Sequence, residues 1–484
     1  MCSFILLISQ GPIDGAELQA ANQWIQSRGP DQTHGHTWHQ GELQITAIHN
    51  LLDISGSAIQ QPIHQQPGKA LLFNGEIYRP SDGQTPDTLV LYNALLNNTL
   101  RAFLQQAHGE YTIASIDAES QSLELYTDLI GTKPLAYAWQ PGQVAVASYA
   151  SALQNLGFSN AQDVPPNTQL TILLDQVQQP QIQAQRLHTL DLEQSKPSLE
   201  TWTTAFLNSV ADRAGHFNSN VFVPLSAGYD SGAICCALNQ LQIPYVSATV
   251  GDSENPTIIR QRVAINKRAS CREHIWLPPV SDDQSAVISQ WLQSQLGTVR
   301  YSHLDGDRLE PIAVHEDAGA IGLAVLCKEM VQRGFNTLIS GSGADEIISD
   351  YGHGGTKLFE HSQFGGLFPE QLEGFFPWRK FYGDSQRSYL RKDEMVAGLF
   401  GIEGRYPFLD RQLIQAFLQL TPSLKNQRYK HCIASFLEAH SYPYEANVKT
   451  GFYAVQTRFN PLQRLKRKAK HLSQALRLQL TRAR

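Results

Sequence analysis

Cys2 is the first residue of the sequence whose position could support covalent chemistry. Removal of the initiator methionine would leave a thiol and a free α-amine on the same residue. An α-amine has a pKa near ~8, so it can act as the general base for the thiol and make a nucleophile without a histidine. A cysteine acting alone would fit equally well as a small apolar residue at the start of a buried strand.

Two further segments could complete a hydrolytic site around Cys2. The segment 73–78, with the sequence FNGEIY, ends an apolar strand. The Asn74 side-chain amide and the Gly75 N–H could therefore donate hydrogen bonds to a tetrahedral oxyanion, a role that requires donors fixed in advance. The segment 28–31, with the sequence RGPD, is a turn with two constrained backbone positions.

Two loops of small residues in the second half of the chain predict a phosphate site. The apolar run Val221–Leu225 leads into the loop 226–231, and a helix is expected over Gly232–Leu241. Backbone N–H groups at such a loop and at a helix N-terminus bind phosphate oxygens. The loop 340–346 follows another strand, and the carboxyl ends of parallel strands would bring both loops together. An ordinary strand–helix turn and acidic helix capping are the structural alternatives.

These segments resemble those of the asparagine synthetase family, including its β-lactam synthetase-like relatives. The matching pieces of the first half are Cys2, RGPD at 28–31, FNGEIY at 73–78, PDT at 86–88 and GTKPL at 131–135. Those of the second half are the loops 226–231 and 340–346, GIEGRYPFLD at 401–410 and KTGF at 449–452. The resemblance implies an α+β N-terminal-nucleophile sandwich (αββα), followed by an α/β parallel-sheet domain of the ATP pyrophosphatase type.

The resemblance also implies a role for each matching residue. Cys2 would be the nucleophile of glutamine hydrolysis, Asn74 and Gly75 the oxyanion hole, and Asp87, Glu76 and Arg28 the glutamine-binding residues. Asp230 and Asp345 would bind Mg²⁺, because hard cations that bridge phosphates take carboxylate oxygens. Lys449 would face the adenylate and the departing pyrophosphate, with Lys430 a second candidate for that charge. The implied ATP-binding residues are Ser226, Ala227, Gly228, Tyr229, Asp230, Ser231, Val250, Ser340, Gly341, Ser342 and Gly343.

The implied reaction is a two-step ligation. A carboxylate would attack the α-phosphate of ATP, pyrophosphate would leave, and ammonia released at Cys2 would travel inside the protein to displace AMP from the acyl-adenylate. Ammonia would come from glutamine, and the acceptor would be a small carboxylic acid.

Three positions depart from the family pattern. Ser3 stands where a glycine usually follows the cysteine, and Ile48, with His49 beside it, stands where an arginine usually binds the glutamine α-carboxylate. No apolar side chain can replace a bidentate guanidinium. Ser342 stands where asparagine synthetases have an acid and β-lactam synthetases a tyrosine, so we expect the base to be Glu394 or Glu403. The smaller, uncharged Ser342 also predicts an acceptor larger than aspartate.

Two other functions stay open from the sequence. The missing arginine favours a ligase that does not use glutamine, such as an intramolecular or amine-using enzyme like β-lactam synthetase or a lasso-peptide cyclase. A non-catalytic relative is the third possibility, although the intact Asp230 and Asp345 loops argue against it.

Length and composition set the wider frame. A chain of 484 residues with 42% apolar residues is long for one core and predicts two domains. A net charge of −6 argues against binding nucleic acid through the whole surface. The apolar run Phe4–Ile8 is too short to span a bilayer and lacks the basic region of a secretory signal, so we expect a cytoplasmic protein with no transmembrane segment.

We predict four segments from these patterns. They are an amidotransferase-like domain at 1–174, a glutamine-rich linker at 175–200, a synthetase domain at 201–456 and a basic amphipathic tail at 457–484. The tail carries nine basic residues and no acid, and Leu465, Leu472 and Leu476 fall on one helical stripe. We expect this tail to dock on the acidic body, and an acidic partner or an anionic membrane surface is the alternative. A homodimer is compatible with the sequence.

Overall fold

The computed structural model describes residues 2–54, 59–80, 85–215, 220–251, 255–297, 299–305, 308–359 and 362–446. The contacts divide the chain into two compact units. The first holds the residues up to Thr189 together with Gly398–Glu403, and the second holds most of the rest. Among the described residues, no helix combines the length and the apolar character needed to cross a bilayer.

The first unit contains twelve strands and four helices among its described residues. The strands are β1 Ser3–Ser9, β2 Gln32–Gln40, β3 Leu43–Leu51, β4 Ile63–Gln66, β5 Lys69–Arg79, β6 His108–Asp117, β7 Ser122–Thr127, β8 Ala136–Gln140, β9 Gln143–Ala147, β10 Gln162–Asp163, β11 Thr168–Leu173 and β12 Ile182–Arg186. The helices are α1 Gly15–Asn22, α2 Asp87–Leu96, α3 Leu100–Gln106 and α4 Ala150–Asn155.

These strands form two antiparallel sheets, which pack face to face between two pairs of helices. The sheet orders are β10-β8-β9-β1-β3-β2 and β12-β11-β7-β6-β5-β4. Apolar side chains of both sheets, such as Leu6, Ile45 and Leu125, fill the space between them. Helices α2 and α3 pack on the outer face of the second sheet, and α1 and α4 contact the first. The predicted αββα sandwich is thus confirmed.

The second unit is built around a sheet of five strands. The strands described in this unit, inside and outside that sheet, are β13 Val221–Pro224, β14 Tyr245–Val250, β15 Cys271–Leu277, β16 Arg300–Asp305, β17 Arg308–Ala313, β18 Thr337–Ile339, β19 Gly352–His353, β20 Thr356–Lys357 and β21 Glu403–Arg405. Its helices are α5 Glu200–Gly215, α6 Tyr229–Gln240, α7 Pro256–Arg268, α8 Asp282–Leu296, α9 Ala318–Gln332, α10 Ala344–Ile348, α11 Arg379–Tyr382, α12 Asp384–Gly398, α13 Arg411–Leu418, α14 Pro422–Lys425 and α15 His431–Ala439.

The strand order of this sheet fixes where a ligand can bind. The order is β15-β14-β13-β18-β21, and the pairs β15–β14, β14–β13 and β13–β18 are parallel. From β13 the chain moves through α6 to β14 on one side, and it later returns as β18 on the other side. Ligands bind at such a switch point, outside the carboxyl ends of the strands. The predicted parallel-sheet domain is confirmed, and both predicted loops follow the two strands at the switch point.

The segment predicted as a linker at 175–200 does not behave as one throughout. Residues Ile182–Arg186 form β12, which pairs with β11 along five residues from Thr168 to Ile172. The glutamine-rich sequence of this strand resembles that of a polar loop, because β12 lies at the edge of its sheet and exposes most of its side chains. The first unit therefore extends to Thr189 rather than ending at residue 174. The tail predicted at 457–484 lies outside the described residues.

Candidate active sites

In the first unit, Cys2 lies beside the middle of β5. Its backbone N–H donates to Asn74 Oδ1 at 3.0 Å. The Asn74 side chain is fully buried, and its Nδ2 has no hydrogen-bond partner among the described residues. A buried donor without a partner is costly and calls for a ligand. The arrangement therefore leaves an amide donor available on the residue that binds the Cys2 backbone, and an oxyanion hole requires such a donor.

Gly75 is restricted to glycine by its surroundings. Its φ is 137°, and a Cβ at this position would lie 2.0 Å from the backbone oxygen of Glu110. Glycine therefore allows β5 to lie this close to β6 while its backbone faces the Cys2 cavity. That cavity has a volume of about 50 Å³. It is lined by Cys2, Leu51, Leu52, Asp53, Ile54, Ile59, Gln61, Phe73, Gly75, Glu76, Pro86, Asp87 and Thr88.

The far end of this cavity is acidic. Asp87 is the first residue of α2, and its carboxylate accepts from the N–H of Thr88 at 2.7 Å and of Ile77 at 3.2 Å. Burial, followed by the nearby charge of Glu76, raises the pKa of Asp87 to about 8. Two neighbouring carboxyl groups in a small cavity would suit an ammonium group, which is what the α-amine of glutamine provides.

Replacing Asp87 by Asn should weaken glutamine binding and stabilise the protein at the same time. Because its pKa is raised, the folded state loses stability as the pH rises from the unfolded value near ~4 to about 8. The asparagine side chain does not titrate, so we expect the gain in Tm over wild type to grow across this range, reaching about 4 °C at pH 8.5. Calorimetry at pH 4.5 and 8.5 measures the gain, and an equal gain at both would contradict the assignment.

Burial is also the largest influence on the pKa of the Cys2 thiol. It raises the pKa of Cys2 to about 11, and the charges of Glu403 and Glu76 act in the same direction. A thiol with this pKa is protonated at neutral pH, so a base must remove its proton during attack. The backbone nitrogen of Cys2 is the nearest group that could do so, once it is a free α-amine.

Three residues considered from the sequence do not line this cavity in the described structure. Ile48 does not line the cavity: Ala47 faces the core between the sheets, so Ile48 points to the opposite face of β3. His49, its neighbour on β3, is buried, and burial lowers its pKa to about 3. Arg28 also lies outside the cavity lining. Its Nε donates to the Cys2 carbonyl at 3.4 Å and its guanidinium donates to the Tyr149 hydroxyl, so it positions the nucleophile's backbone.

In the second unit, the loop 226–231 is organised by its own serines. The Ser231 hydroxyl lies 2.8 Å from the Ser226 hydroxyl, and it accepts from the Ser226 N–H at 3.1 Å. The Ser226 hydroxyl accepts in turn from the Gly228 N–H at 3.1 Å. These bonds curl the loop over the N-terminus of α6, where N–H groups favour phosphate.

Lys430 links the two predicted magnesium ligands. Its Nζ lies 2.7 and 2.8 Å from the two carboxylate oxygens of Asp230 and 2.7 Å from Asp345 Oδ1. The carboxylates of both loops therefore converge on one point, and a divalent cation there would take the place of the ammonium. Within the described ranges no group of three metal-ligating side chains converges. Phosphate oxygens and water would thus complete the coordination of Mg²⁺.

Arg262 is a positioning residue that the sequence pattern does not reveal. It projects from α7 and is fully buried. Its Nη1 donates to the carbonyls of Ser226 at 2.6 Å and Gly228 at 2.8 Å, and its Nε donates to the carbonyl of Pro443. Gly232 makes room for it, because a Cβ there would lie 2.5 Å from the guanidinium. Arg262 therefore holds the loop backbone in place and adds positive charge beneath it.

Asp393 is the acid that lies against Ser342, which corrects the expectation of Glu394 or Glu403. Asp393 Oδ2 accepts from the Ser342 hydroxyl at 2.7 Å and from the Ser340 hydroxyl at 3.0 Å. Burial raises the pKa of Asp393, and the charge of Lys392 opposes this. Glu394 is one residue further along α12, accepts from the Tyr406 hydroxyl at 2.8 Å and does not line the cavity. Glu403 begins β21 and does not line the cavity either.

These residues enclose a cavity of about 210 Å³. Its lining is Pro224, Ser226, Gly228, Tyr229, Asp230, Ser231, Gly319, Leu323, Leu338, Ser340, Gly341, Ser342, Lys392, Asp393, Tyr429 and Lys430. Eight of the eleven predicted ATP-binding residues thus line this cavity. Ala227, Val250 and Gly343 do not line it. Ala227 and Val250 are buried, and Gly343 packs against Leu409. Lys449 lies outside the described residues.

Comparison with known proteins agrees with this division. A family model of the glutamine amidotransferase domain matches residues 1–194, and a model of asparagine synthase matches residues 382–475. The two models thus cover the Cys2 cavity and the Asp393 wall of the second cavity.

Curated relatives match most of the chain at low identity. The glutamine-hydrolyzing asparagine synthetase of Bos taurus is 23% identical over 467 residues, covering 86% of this chain and 77% of the relative. The human enzyme is 22% identical with the same coverage of both chains. Asparagine synthetase B of Escherichia coli K12 is 22% identical over 459 residues, covering 86% and 74%.

Proposed function

The chain is a divergent member of the asparagine synthetase family, and from that premise we propose that it is a glutamine-dependent, AMP-forming amide synthetase. The observation that carries this proposal is the convergence of Asp230 and Asp345 at the switch point of a parallel sheet, beside the serine-rich loop 226–231. The amidotransferase domain supplies the nitrogen, and the second unit activates the acid.

At the first site, the Cys2 sulfur would attack the side-chain amide carbon of glutamine. The thiol proton passes to the α-amine of Cys2 and then to the leaving nitrogen, which departs as ammonia. Asn74 Nδ2 and the Gly75 backbone stabilise the oxyanion, and Asp87 with Glu76 binds the substrate ammonium. Water then hydrolyses the thioester to glutamate.

At the second site, the loop 226–231, held in place by Arg262, would bind the ATP phosphates, and Asp230 with Asp345 would hold Mg²⁺, which would neutralise charge on the phosphates. The acceptor carboxylate attacks the α-phosphorus, and the bond to the β-phosphate oxygen breaks. Ammonia then attacks the acyl carbon and AMP leaves, with Asp393 accepting a proton.

The test is product analysis with ATP, candidate acids and amide-¹⁵N glutamine. We expect AMP and pyrophosphate in equal amounts, with ¹⁵N in the amide product. ADP and phosphate as the only nucleotide products would overturn the proposal.

A second function is favoured by the acidic cavity of the first unit. No arginine or lysine lines the described part of this cavity, so no lining side chain there would pair with the α-carboxylate of glutamine. This favours a ligase that takes its nitrogen from a substrate amine. Amide formation without glutamine or ammonia, from an acid and an amine alone, would identify this alternative.

Free aspartate should be a poor acceptor. Ser342 is uncharged, and its hydroxyl is already bound to Asp393, so the cavity has more room and one carboxylate fewer on this loop than an asparagine synthetase would have. We expect aspartate-dependent pyrophosphate release at least about tenfold slower than with the best larger acid, and partial recovery in Ser342→Glu. Rates are compared at saturating ATP. Equal rates for aspartate and the best alternative acid would contradict this prediction.

A further inference from the structure

Lys392 presents an ammonium group to the cavity of the second unit. It makes no hydrogen bond within the described part of the chain, and its side chain is 15% exposed. The nearest described carboxylate is Asp317, with Oδ1 at 4.0 Å. Asp317 already accepts from the Tyr301 hydroxyl at 2.6 Å and the Ala320 N–H at 2.8 Å. The lysine therefore keeps donors for a ligand.

The wall around Lys392 is shaped to leave this ammonium accessible. A Cβ at Gly319 would lie 3.1 Å from Lys392 Nζ, so the glycine leaves room for the ammonium. Leu323, one turn further along α9, lines the same cavity, and the Tyr389 ring centroid lies 4.6 Å from Nζ. The wall thus combines one cation with apolar surface, which suits an aliphatic chain ending in an anion.

Lys392 is separated from the proposed phosphate end by the loop 340–343. A Cβ at Gly341 would lie 3.0 Å from the Asp230 Cβ, so one side of this loop contacts the proposed metal ligand. Its other side, through Ser340 and Ser342, contacts Asp393, which is the neighbour of Lys392 on α12. An anion at Lys392 would therefore belong to the acceptor rather than to ATP.

We propose that Lys392 selects an acceptor that carries a second anionic group beyond the carboxylate that is adenylated. The class is a dianionic acid with an aliphatic segment between its two anions. The ammonium of Lys392 in this wall favours such a negatively charged substrate. This inference rests on the proposed function and names its substrate class.

The test compares α,ω-dicarboxylic acids with monocarboxylic acids of the same chain length in wild type and Lys392→Gln. Pyrophosphate release at saturating ATP should give the wild type a kcat/KM at least about tenfold higher for the best diacid, since a hydrogen bond to a charged group contributes about tenfold to hundredfold. Lys392→Gln should lose this preference while keeping the KM for ATP and the rate with monoacids. Lys392→Arg should restore part of it, and the exposed Lys328→Gln on α9 is the matched control.

A binding measurement separates this inference from the proposed reaction. Calorimetry with a non-hydrolysable ATP analogue present should show tighter binding of the diacids to wild type than to Lys392→Gln. This result without any pyrophosphate release would support the Lys392 site and reject the ligase. Equal binding of diacids to both proteins, no preference over monoacids, or a raised KM for ATP with an unchanged diacid preference would overturn the inference.

Discussion

Replacing Asp230 by Asn is expected to lower adenylation by about hundredfold to thousandfold, the range for loss of one group that stabilises charge in a transition state. Asp230 contributes both of its carboxylate oxygens to the point where it meets Asp345, through Lys430 at 2.7 and 2.8 Å. An amide offers one neutral oxygen, which binds Mg²⁺ poorly. Acid-dependent exchange of pyrophosphate into ATP measures this step.

The fold should survive the substitution. Lys430 is buried with 1% of its side chain exposed, and it keeps Asp345 as a partner after Asp230 is neutralised. Asp283→Asn, on the exposed start of α8, is the control for a lost surface charge. Full pyrophosphate exchange in Asp230→Asn, with an unchanged Tm, would mean that another group holds the metal. A large fall in Tm would mean that Asp230 is mainly a structural partner of Lys430.

The strands that the sequence predicts are those that are buried on both sides. The apolar runs in β1, β3, β5, β6, β7 and β9 identify inner strands, because both neighbours and the sandwich core require apolar side chains there. The four edge strands β2, β4, β10 and β12 carry no such run. In β2, for example, most side chains are at least partly exposed, so its sequence need not alternate apolar and polar residues. Burial, which the pattern reports, is weakest at an edge.

The candidate sites show a similar limit. Short motifs predict Cys2, Asn74 and Asp230 as site residues because each motif fixes a backbone turn and a side chain together. The acid that contacts Ser342 is a long-range partner, 51 residues away, and the sequence pattern pointed to Glu394 and Glu403 rather than to Asp393. Only the helical phase of α12 decides which of two adjacent acids faces the loop. The role of Arg262 cannot be predicted from the sequence either, because it binds backbone carbonyl groups, which every residue has.

Replacing Cys2 by Ala should abolish glutamine-dependent synthesis and leave synthesis from added ammonium salts nearly unchanged. Cys2 directly precedes β1 of the first compact unit, which has its own core, whereas the ATP cavity belongs to the second unit. Alanine removes a partly buried thiol and leaves the bond from its backbone nitrogen to Asn74 available. The measurement is a paired assay of amide product with each nitrogen donor.

The substitution Asn74→Ala tests the proposed oxyanion hole of the same site. Its Nδ2 has no partner in the described structure, so we expect it to matter in the transition state, with a loss of about hundredfold to thousandfold in kcat for glutamine hydrolysis. It should likewise spare the ammonia-dependent reaction. Loss of both reactions in Cys2→Ala, with a lowered Tm, would make Cys2 a packing residue. Unchanged glutamine use in both variants would place the nitrogen source outside this cavity.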